Sequence, residues 1–342
     1  MSLMAKLKKN SKIKLTAQMD KSEFFQEQEV VPTDVPMMNV ALTGSLDGGI
    51  TAGLTVLAGP SKHFKTSFAL KMAAAYLSAK PDAVMLFYDS EFGSPQSYFD
   101  NFGIDTSRVL HVPIMDVEDL KFDLIAQLED MDKEDDVIIV IDSIGNLASK
   151  KELEDAKNEK SVADMSRAKA LKGLFRMTTP YLAMKNIPLL AVNHTYKEIG
   201  LYPKDIVGGG TGIYYSANNI WIIGRRQQKT GTEVTGYDFV IKVEKSRFVK
   251  EQSKIPISVT WEGGINEMSG LLDVALAGGY VVKPSNGWYQ KVGEEKKYRE
   301  KELDKDFWCD ILDDKVFQDY VRNAFSVGSE VVDLGIEVAE DA

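Results

Sequence analysis

From about residue 52 onward, short apolar runs alternate with amphipathic segments, the pattern of strands and helices taking turns in an α/β sheet. LTVLAG (54–59), AVMLFYD (83–89), VLHV (109–112), VIIVID (137–142) and IPLLAVNH (187–194) predict strands. VIIVID is apolar, β-branched and closed by an acid, so it reads as a central one. Helices are expected over 65–80, where Phe68, Leu70, Met72 and Leu77 supply apolar positions, and near 95–102, 117–131 and 162–178. The stretch KKELEDAKNEK (150–160) is charged and lacks apolar periodicity, which predicts a loop. Residues 195–217 hold Gly200, Pro203, Gly208, Gly209, Gly210 and Gly212, too glycine-rich for a stable helix or strand, and predict a long mobile loop. NIWIIGRR, YDFVIKVEKSR and IPISVTWEGG then alternate and carry aromatics, so the second half of the sheet is expected to turn antiparallel. After about residue 268 a small C-terminal module begins.

Composition narrows the picture. With 342 residues and 44% apolar content the chain can bury one large core with small appendages. One cysteine, Cys309, excludes an internal disulfide framework and a cysteine-rich zinc site, and three scattered histidines give no metal-binding pattern. No apolar run reaches the ~18 residues of a membrane span and no signal peptide is visible, so a soluble, cytoplasmic protein with no membrane partner is expected. The net charge of −10 argues against nucleic acid at first. Its placement weakens that argument: Lys6, Lys8, Lys9, Lys12 and Lys14 open the chain without an acid, while Glu330, Asp333, Glu337, Glu340 and Asp341 close it without a base. Such polarity suits self-assembly or an acidic tail competing with DNA, and it equally suits solvated termini.

The chemistry concentrates at GPSKHFKT (59–66). Gly59, Lys65 and Thr66 have phosphate-loop spacing between a predicted strand and a predicted helix. In such a loop, Gly59, Pro60, Ser61, Lys62, His63, Phe64, Lys65, Thr66 and Ser67 surround phosphate oxygens with backbone N–H groups and a helix N-terminus. The lysine reaches the terminal phosphates and the threonine hydroxyl ligates Mg²⁺, so ATP and Mg²⁺ are the expected cofactors. Phe64 stands where glycine normally precedes the lysine. At φ > 0 a bulky residue costs about 1–2 kcal/mol, so the loop is either relaxed or strained there. Asp142 closes its strand at the carboxyl edge of the sheet and is the expected Mg²⁺ carboxylate beside Thr66. Glu91, in DSEFG, is placed to orient or deprotonate an attacking water, with Asp89 as rival for that role.

GPSKHFKT, FYDSEFG, VIIVIDSIGNLASKKELEDA, AVNHTY, GGGTG and VEKSR occur in the order and spacing of RecA-family recombinases, and the chain resembles most the bacteriophage UvsX branch from about residue 20 to 290. The resemblance implies a RecA-type P-loop ATPase core with a mostly parallel sheet. It divides the chain into an N-terminal oligomerisation segment (1–40), the core (41–268), a small C-terminal module (269–322) and an acidic tail (323–342). It makes His194 the γ-phosphate sensor and Tyr98 the aromatic that stacks on adenine, although Tyr98 also fits an amphipathic-helix core position. Lys245 and Arg247 match a basic pair that reaches the neighbouring subunit's nucleotide, and alternation would put both on one strand face. Residues 150–162 and 195–211 match two DNA-binding loops; Gly209 and Gly210 let backbone approach phosphates, and Arg167 and Arg176 fall near phosphate-contacting positions. Glu152, Glu154 and Asp155 fit DNA contact poorly. Phe24 and Phe25 resemble part of the segment that docks on the adjacent protomer.

The implied function is ATP-dependent strand exchange in recombination and repair, by a helical filament on single-stranded DNA that pairs with duplex DNA, aided by mediator and single-strand-binding proteins. The alternatives are a replicative-type helicase on the same core, or a recombination mediator with weak ATPase activity.

Overall fold

The computed structural model of the chain describes residues 2–22, 29–159, 165–198, 200, 203–230 and 232–328. Phe24, Phe25, parts of both expected DNA loops (160–162, 199, 201 and 202) and the chain from 329 onward lie outside them. Helices α1 (Leu3–Asn10) and α2 (Pro36–Thr43) precede the sheet. The core then runs β1 (Gly53–Ala58), α3 (Lys65–Ala79), β2 (Val84–Asp89), α4 (Gln96–Asp100), β3 (Val109–Pro113), α5 (Val117–Asp130) and β4 (Val137–Asp142). It continues through α6 (Lys150–Lys157), α7 (Ser166–Met184), β5 (Pro188–Asn193), β6 (Thr195–Lys197), β7 (Asp205–Val207) and α8 (Thr211–Ser216). Strands β8 (Asn219–Thr230), β9 (Glu233–Ser246), β10 (Lys254–Thr260) and β11 (Gly264–Ile265) complete the sheet. Beyond it lie α9 (Leu271–Ala277), β12 (Val281–Ser285), β13 (Trp288–Lys291), α10 (Lys305–Asp313) and α11 (Lys315–Phe325).

Among the described residues, nine strands form one sheet in the order β11-β10-β9-β8-β1-β5-β4-β2-β3. From β8 to β3 every neighbouring pair is parallel, and from β8 to β11 the pairs are antiparallel, as the alternating aromatic runs predict. The fold is thus the expected α/β class with a mostly parallel sheet. Alternation in the strands feeds two apolar layers. Ile138 and Val140 of β4 face α3, where Phe68 and Met72 pack, while Ile139 and Ile141 face α5 and α7, through Leu124, Leu171 and Phe175. The C-terminal segment shares the first of these layers: Leu271, Val274, Phe317, Val321 and Phe325 join Met37 and Met38 of α2.

Two expected loops are ordered elements. Residues 150–157 form α6, which buries no residue and is held at its start by a capping box. Ser149 Oγ accepts from Glu152 N at 3.1 Å, and Glu152 Oε2 accepts from Ser149 N at 2.6 Å. A surface helix with such a cap needs no apolar stripe, which is why periodicity failed to reveal it, and the cap also accounts for Glu152. Among the described residues of 195–217, β6 and β7 pair antiparallel and Thr211–Ser216 forms α8. The glycines there serve geometry. Gly209 (φ 95°) and Gly210 (φ 77°) turn the chain from β7 into α8, and a Cβ at Gly212 would lie 2.8 Å from Lys172 Cα, so α8 packs on α7 only because Gly212 has none. α7 also continues to Met184, past the expected end and through Pro180.

Candidate functional site

The carboxyl ends of β1, β2, β4 and β5 converge at one edge of the parallel sheet, and the chemical residues of the sequence meet there. Gly59 follows β1 where a Cβ would stand 2.9 Å from Ile223 O of β8, so the close passage of β8 requires glycine. The loop then takes left-handed conformations at Lys62 (φ 63°) and Phe64 (φ 57°) before α3 begins at Lys65. Phe64 resolves the open question of the sequence: it adopts the strained conformation. Its ring packs 5.0 Å from Phe239 and 6.3 Å from Phe68, centroid to centroid, and Arg225 Nη1 donates to Lys62 O at 3.0 Å.

A cavity of about 210 Å³ lies over this loop, lined by Ser61 to Ser67 with Glu91, Tyr98, Val192 and His194. Lys65 is buried and donates to Pro60 O at 2.7 Å. Burial lowers its pKa, opposed by the charges of Glu91 and Asp142. Thr66 Oγ1 donates to Asp142 Oδ2 at 2.9 Å. Asp142 is 3% exposed, and its Oδ1 is buried without a hydrogen-bond partner. Burial pushes this carboxyl up to about 6; the Thr66 hydrogen bond opposes the shift and the charges of Glu91 and Asp89 add to it. An unpartnered buried carboxylate oxygen next to a threonine hydroxyl fits a divalent cation. Among the described residues no cluster of three acidic, histidine or cysteine side chains would hold one alone, so phosphate oxygens would have to supply the other ligands, as is usual for Mg²⁺.

Glu91 and His194 face each other across the cavity, with Glu91 Oε1 3.3 Å from His194 Nε2. Ser143, just past β4, donates its hydroxyl to the same oxygen at 2.6 Å. The hydrogen bond from His194 is the largest cause holding the Glu91 carboxyl below its ordinary range; partial burial opposes it, and Ser143 and Lys65 reinforce it. Gly145 makes room for the imidazole, since a Cβ there would lie 2.3 Å from His194 Cδ2. His194 also ties the site to the glycine segment: its carbonyl accepts from Gly208 N at 3.0 Å, while Asn193 Nδ2 donates to Gly208 O at 2.7 Å. Tyr98 lies at the cavity rim with its hydroxyl on Ser67 Oγ and its ring edge-on to Phe102. Asp89 does not line the cavity; its Oδ1 accepts from the turn that carries Glu91 and its Oδ2 faces His111 of β3.

The remaining expected residues are placed elsewhere. Lys245 donates to Tyr214 O and, at 2.8 Å, to Ala217 O at the C-terminal end of α8. Burial lowers its pKa first, with the nearby Arg247 charge second. Arg247 is exposed but not on a shared strand face: β9 ends at Ser246, whose Oγ accepts from Phe248 N and Val249 N at 3.0 Å and turns the chain. Arg167 does not project outward. Its guanidinium donates to Leu147 O at 2.6 Å, Ile144 O at 2.9 Å and Gly145 O at 3.1 Å, clamping the turn after β4. Arg176 is exposed on α7. Sequence reasoning missed Ser143, Gly145 and Arg225. Ser143 and Gly145 sit inside the IDSIGN segment, and Arg225 carried no local signal.

A family model described as RecA N-terminal domain matches residues 3–266, and one described as Bacteriophage T4, Recombination and repair protein, C-terminal domain, matches residues 268–321. The chain is 47% identical over 350 aligned positions to the Recombination and repair protein of Enterobacteria phage T4, covering 98% of this chain and 90% of that one. It is 25% identical over 277 positions to Protein RecA of Syntrophus aciditrophicus, covering 80% and 77%. To Protein RecA of Thermus aquaticus it is 25% identical over 279 positions, covering 80% and 78%.

Proposed function

The chain belongs to the RecA family and is a RecA-type recombinase, and on that premise we propose that it binds Mg²⁺–ATP in the cavity above the phosphate loop and couples its hydrolysis to strand exchange on DNA. Lys65 and the loop N–H groups hold the phosphates, and Thr66 with Asp142 holds the cation that neutralises them. Tyr98 contacts the base. Glu91 orients the attacking water, and the exposed Arg247, with Lys245 released from α8, completes the site of a neighbouring protomer.

The observation that carries this reading is the contact of Glu91 with His194, whose backbone in turn holds Gly208 at 3.0 Å. A γ-phosphate entering between Glu91 and His194 competes for the imidazole, and any shift of His194 is passed to the β6–β7 hairpin, the second proposed DNA-binding segment. Gly209 and Gly210 would approach phosphates through backbone N–H groups and so accept any sequence. Arg176 stays a candidate phosphate contact, whereas Arg167 acts on the turn after β4.

Filament assembly is supported by two surfaces. Helix α1 buries none of its residues and exposes Leu3, Met4 and Leu7. Among the described residues strand β3 ends the sheet with one edge unpaired, and Leu110 is exposed. An N-terminal segment from one protomer added to the edge of the next repeats head to tail and builds a helix. Mediator and single-strand-binding proteins would act on assembly. No helix among the described residues is long and apolar enough to cross a membrane.

The test is strand exchange between a single strand and a homologous duplex with ATP hydrolysis measured alongside. Homology-dependent exchange with DNA-stimulated hydrolysis is expected. Strand separation without homology would point to a helicase, and DNA binding without turnover to a mediator. Glu91→Gln should retain ATP binding and lose hydrolysis.

A further inference from the structure

Glu91 is held at two points, and one of them leads away from the cavity. Ser143 fixes the carboxylate itself. The backbone of Glu91 is fixed by Asp89, the last residue of β2, which is 4% exposed. Asp89 Oδ1 accepts from Glu91 N at 3.0 Å and from Phe92 N at 2.7 Å, closing a tight turn in which Phe92 takes φ 53°. A non-glycine residue at that φ is strained, so the turn needs an external hold. The other oxygen, Asp89 Oδ2, lies 3.1 Å from His111 Nε2. An ionised carboxylate only accepts, so His111 donates from Nε2.

The sheet register explains how this pair forms. His111 of the edge strand β3 lies opposite Phe87, two residues before Asp89 and on the same face of β2. The imidazole stacks on the Phe87 ring, 5.8 Å between centroids at 25°, which aims Nε2 along the strand at Asp89. Phe87 is buried, so the ring it supports has a fixed platform.

We propose that Asp89 and His111 are positioning residues for Glu91: His111 locks the Asp89 carboxylate, and Asp89 locks the turn that aims Glu91 at the attacking water. The inference rests on the reading of Glu91 as the water-orienting carboxylate. His111 touches no part of the cavity, so it acts only through Asp89. Its role is to hold a carboxylate still in a turn that is otherwise free to relax, and misplacement of a reacting group by ~1 Å costs about 100-fold in rate.

The test uses two variants that split the ring from the donor. His111→Phe keeps the stacking surface on Phe87 and removes the N–H; His111→Gln keeps an amide donor at similar reach. Hydrolysis at saturating ATP and single-stranded DNA should fall about 10- to 100-fold in His111→Phe, with KM for ATP and DNA affinity unchanged, and His111→Gln should recover most of it. Wild-type turnover in His111→Phe overturns the proposal. So does a fall in turnover accompanied by an equal loss of ATP or DNA binding, or one that His111→Gln fails to rescue, because each assigns His111 to packing or assembly. Glu91→Gln run in parallel separates the two levels. If it hydrolyses ATP normally, the reading of Glu91 itself falls; if it is inactive while His111→Phe turns over normally, only the positioning role falls.

Discussion

Phe64 gives the sharpest quantitative test of how the phosphate loop is held. Its left-handed backbone costs about 1–2 kcal/mol relative to glycine. Its ring, packed on Phe68 and Phe239 but only partly buried, contributes roughly half of a buried phenylalanine's 3–5 kcal/mol, or about 2 kcal/mol. Phe64→Ala loses the ring and keeps the strain, so it should destabilise by about 2 kcal/mol. Phe64→Gly loses the same ring but relieves the strain. The unfolded glycine chain takes back about 0.4–1 kcal/mol of that relief, leaving Phe64→Gly more stable than Phe64→Ala by about 1 kcal/mol. Urea unfolding of the three proteins, compared by midpoint at constant slope, reads both differences. An alanine variant as stable as the glycine variant, or more so, would show that position 64 stores no backbone strain.

Other outcomes follow from single contacts. Asp142→Asn should raise the stability of the nucleotide-free protein at pH 8. A carboxyl raised from 3.8 to about 6 means the fold loses stability as pH climbs between those values, by up to about 3 kcal/mol above the upper one. The gain should shrink toward pH 5, and the rise in Tm on adding Mg²⁺–ATP should be lost; a gain that ignores pH would discount the buried charge. Gly212→Ala forces a Cβ to within 2.8 Å of Lys172 Cα and should cost about 1–3 kcal/mol in urea unfolding, with an unchanged midpoint refuting the close packing of α8 on α7. Truncation after Gly328 removes Glu330, Asp333, Glu337, Glu340 and Asp341 and should tighten DNA binding at low salt but not at high salt. Equal affinity at both salts would exclude electrostatic competition by the tail.

The parallel strands and the phosphate loop were legible because each is written in one contiguous stretch: VIIVID needs only its own side chains to declare a buried strand ending in an acid. α6 was not, since its cap rests on Ser149 and Glu152 rather than on an apolar face. The hairpin and α8 were hidden because the same glycines that loosen an isolated chain permit, at Gly212, an approach visible only once α7 is in place. The Arg167 clamp spans 20 residues from Leu147 and the His111–Asp89 pair 22, and no local pattern marks either. Basic residues beside a DNA-binding segment look alike in sequence, whether they face phosphates or, like Arg167, backbone carbonyls of their own chain.

Replacing a flexible glycine by Phe64 changes what holds the phosphate loop. A glycine there would leave the shape to the ligand, whereas Phe64 leans on Phe239 of β9, and Arg225 of β8 both stacks on Tyr237, at 4.8 Å, and grips Lys62 O. The loop is therefore clamped to the β8–β9 pair, the longest pairing in the sheet. The same β9 carries Lys245 to the carbonyls of Tyr214 and Ala217 at the end of α8. One ribbon, bulged between Ile220 and Trp221, thus touches the phosphate loop at one point and the segment after the glycines at another. A change in either place has to be accommodated by moving the ribbon or by breaking one of these contacts, since packed strands do not deform smoothly. Phe64 is then the residue that couples the loop to the ribbon, and its aromatic contacts offset the backbone strain that the coupling requires.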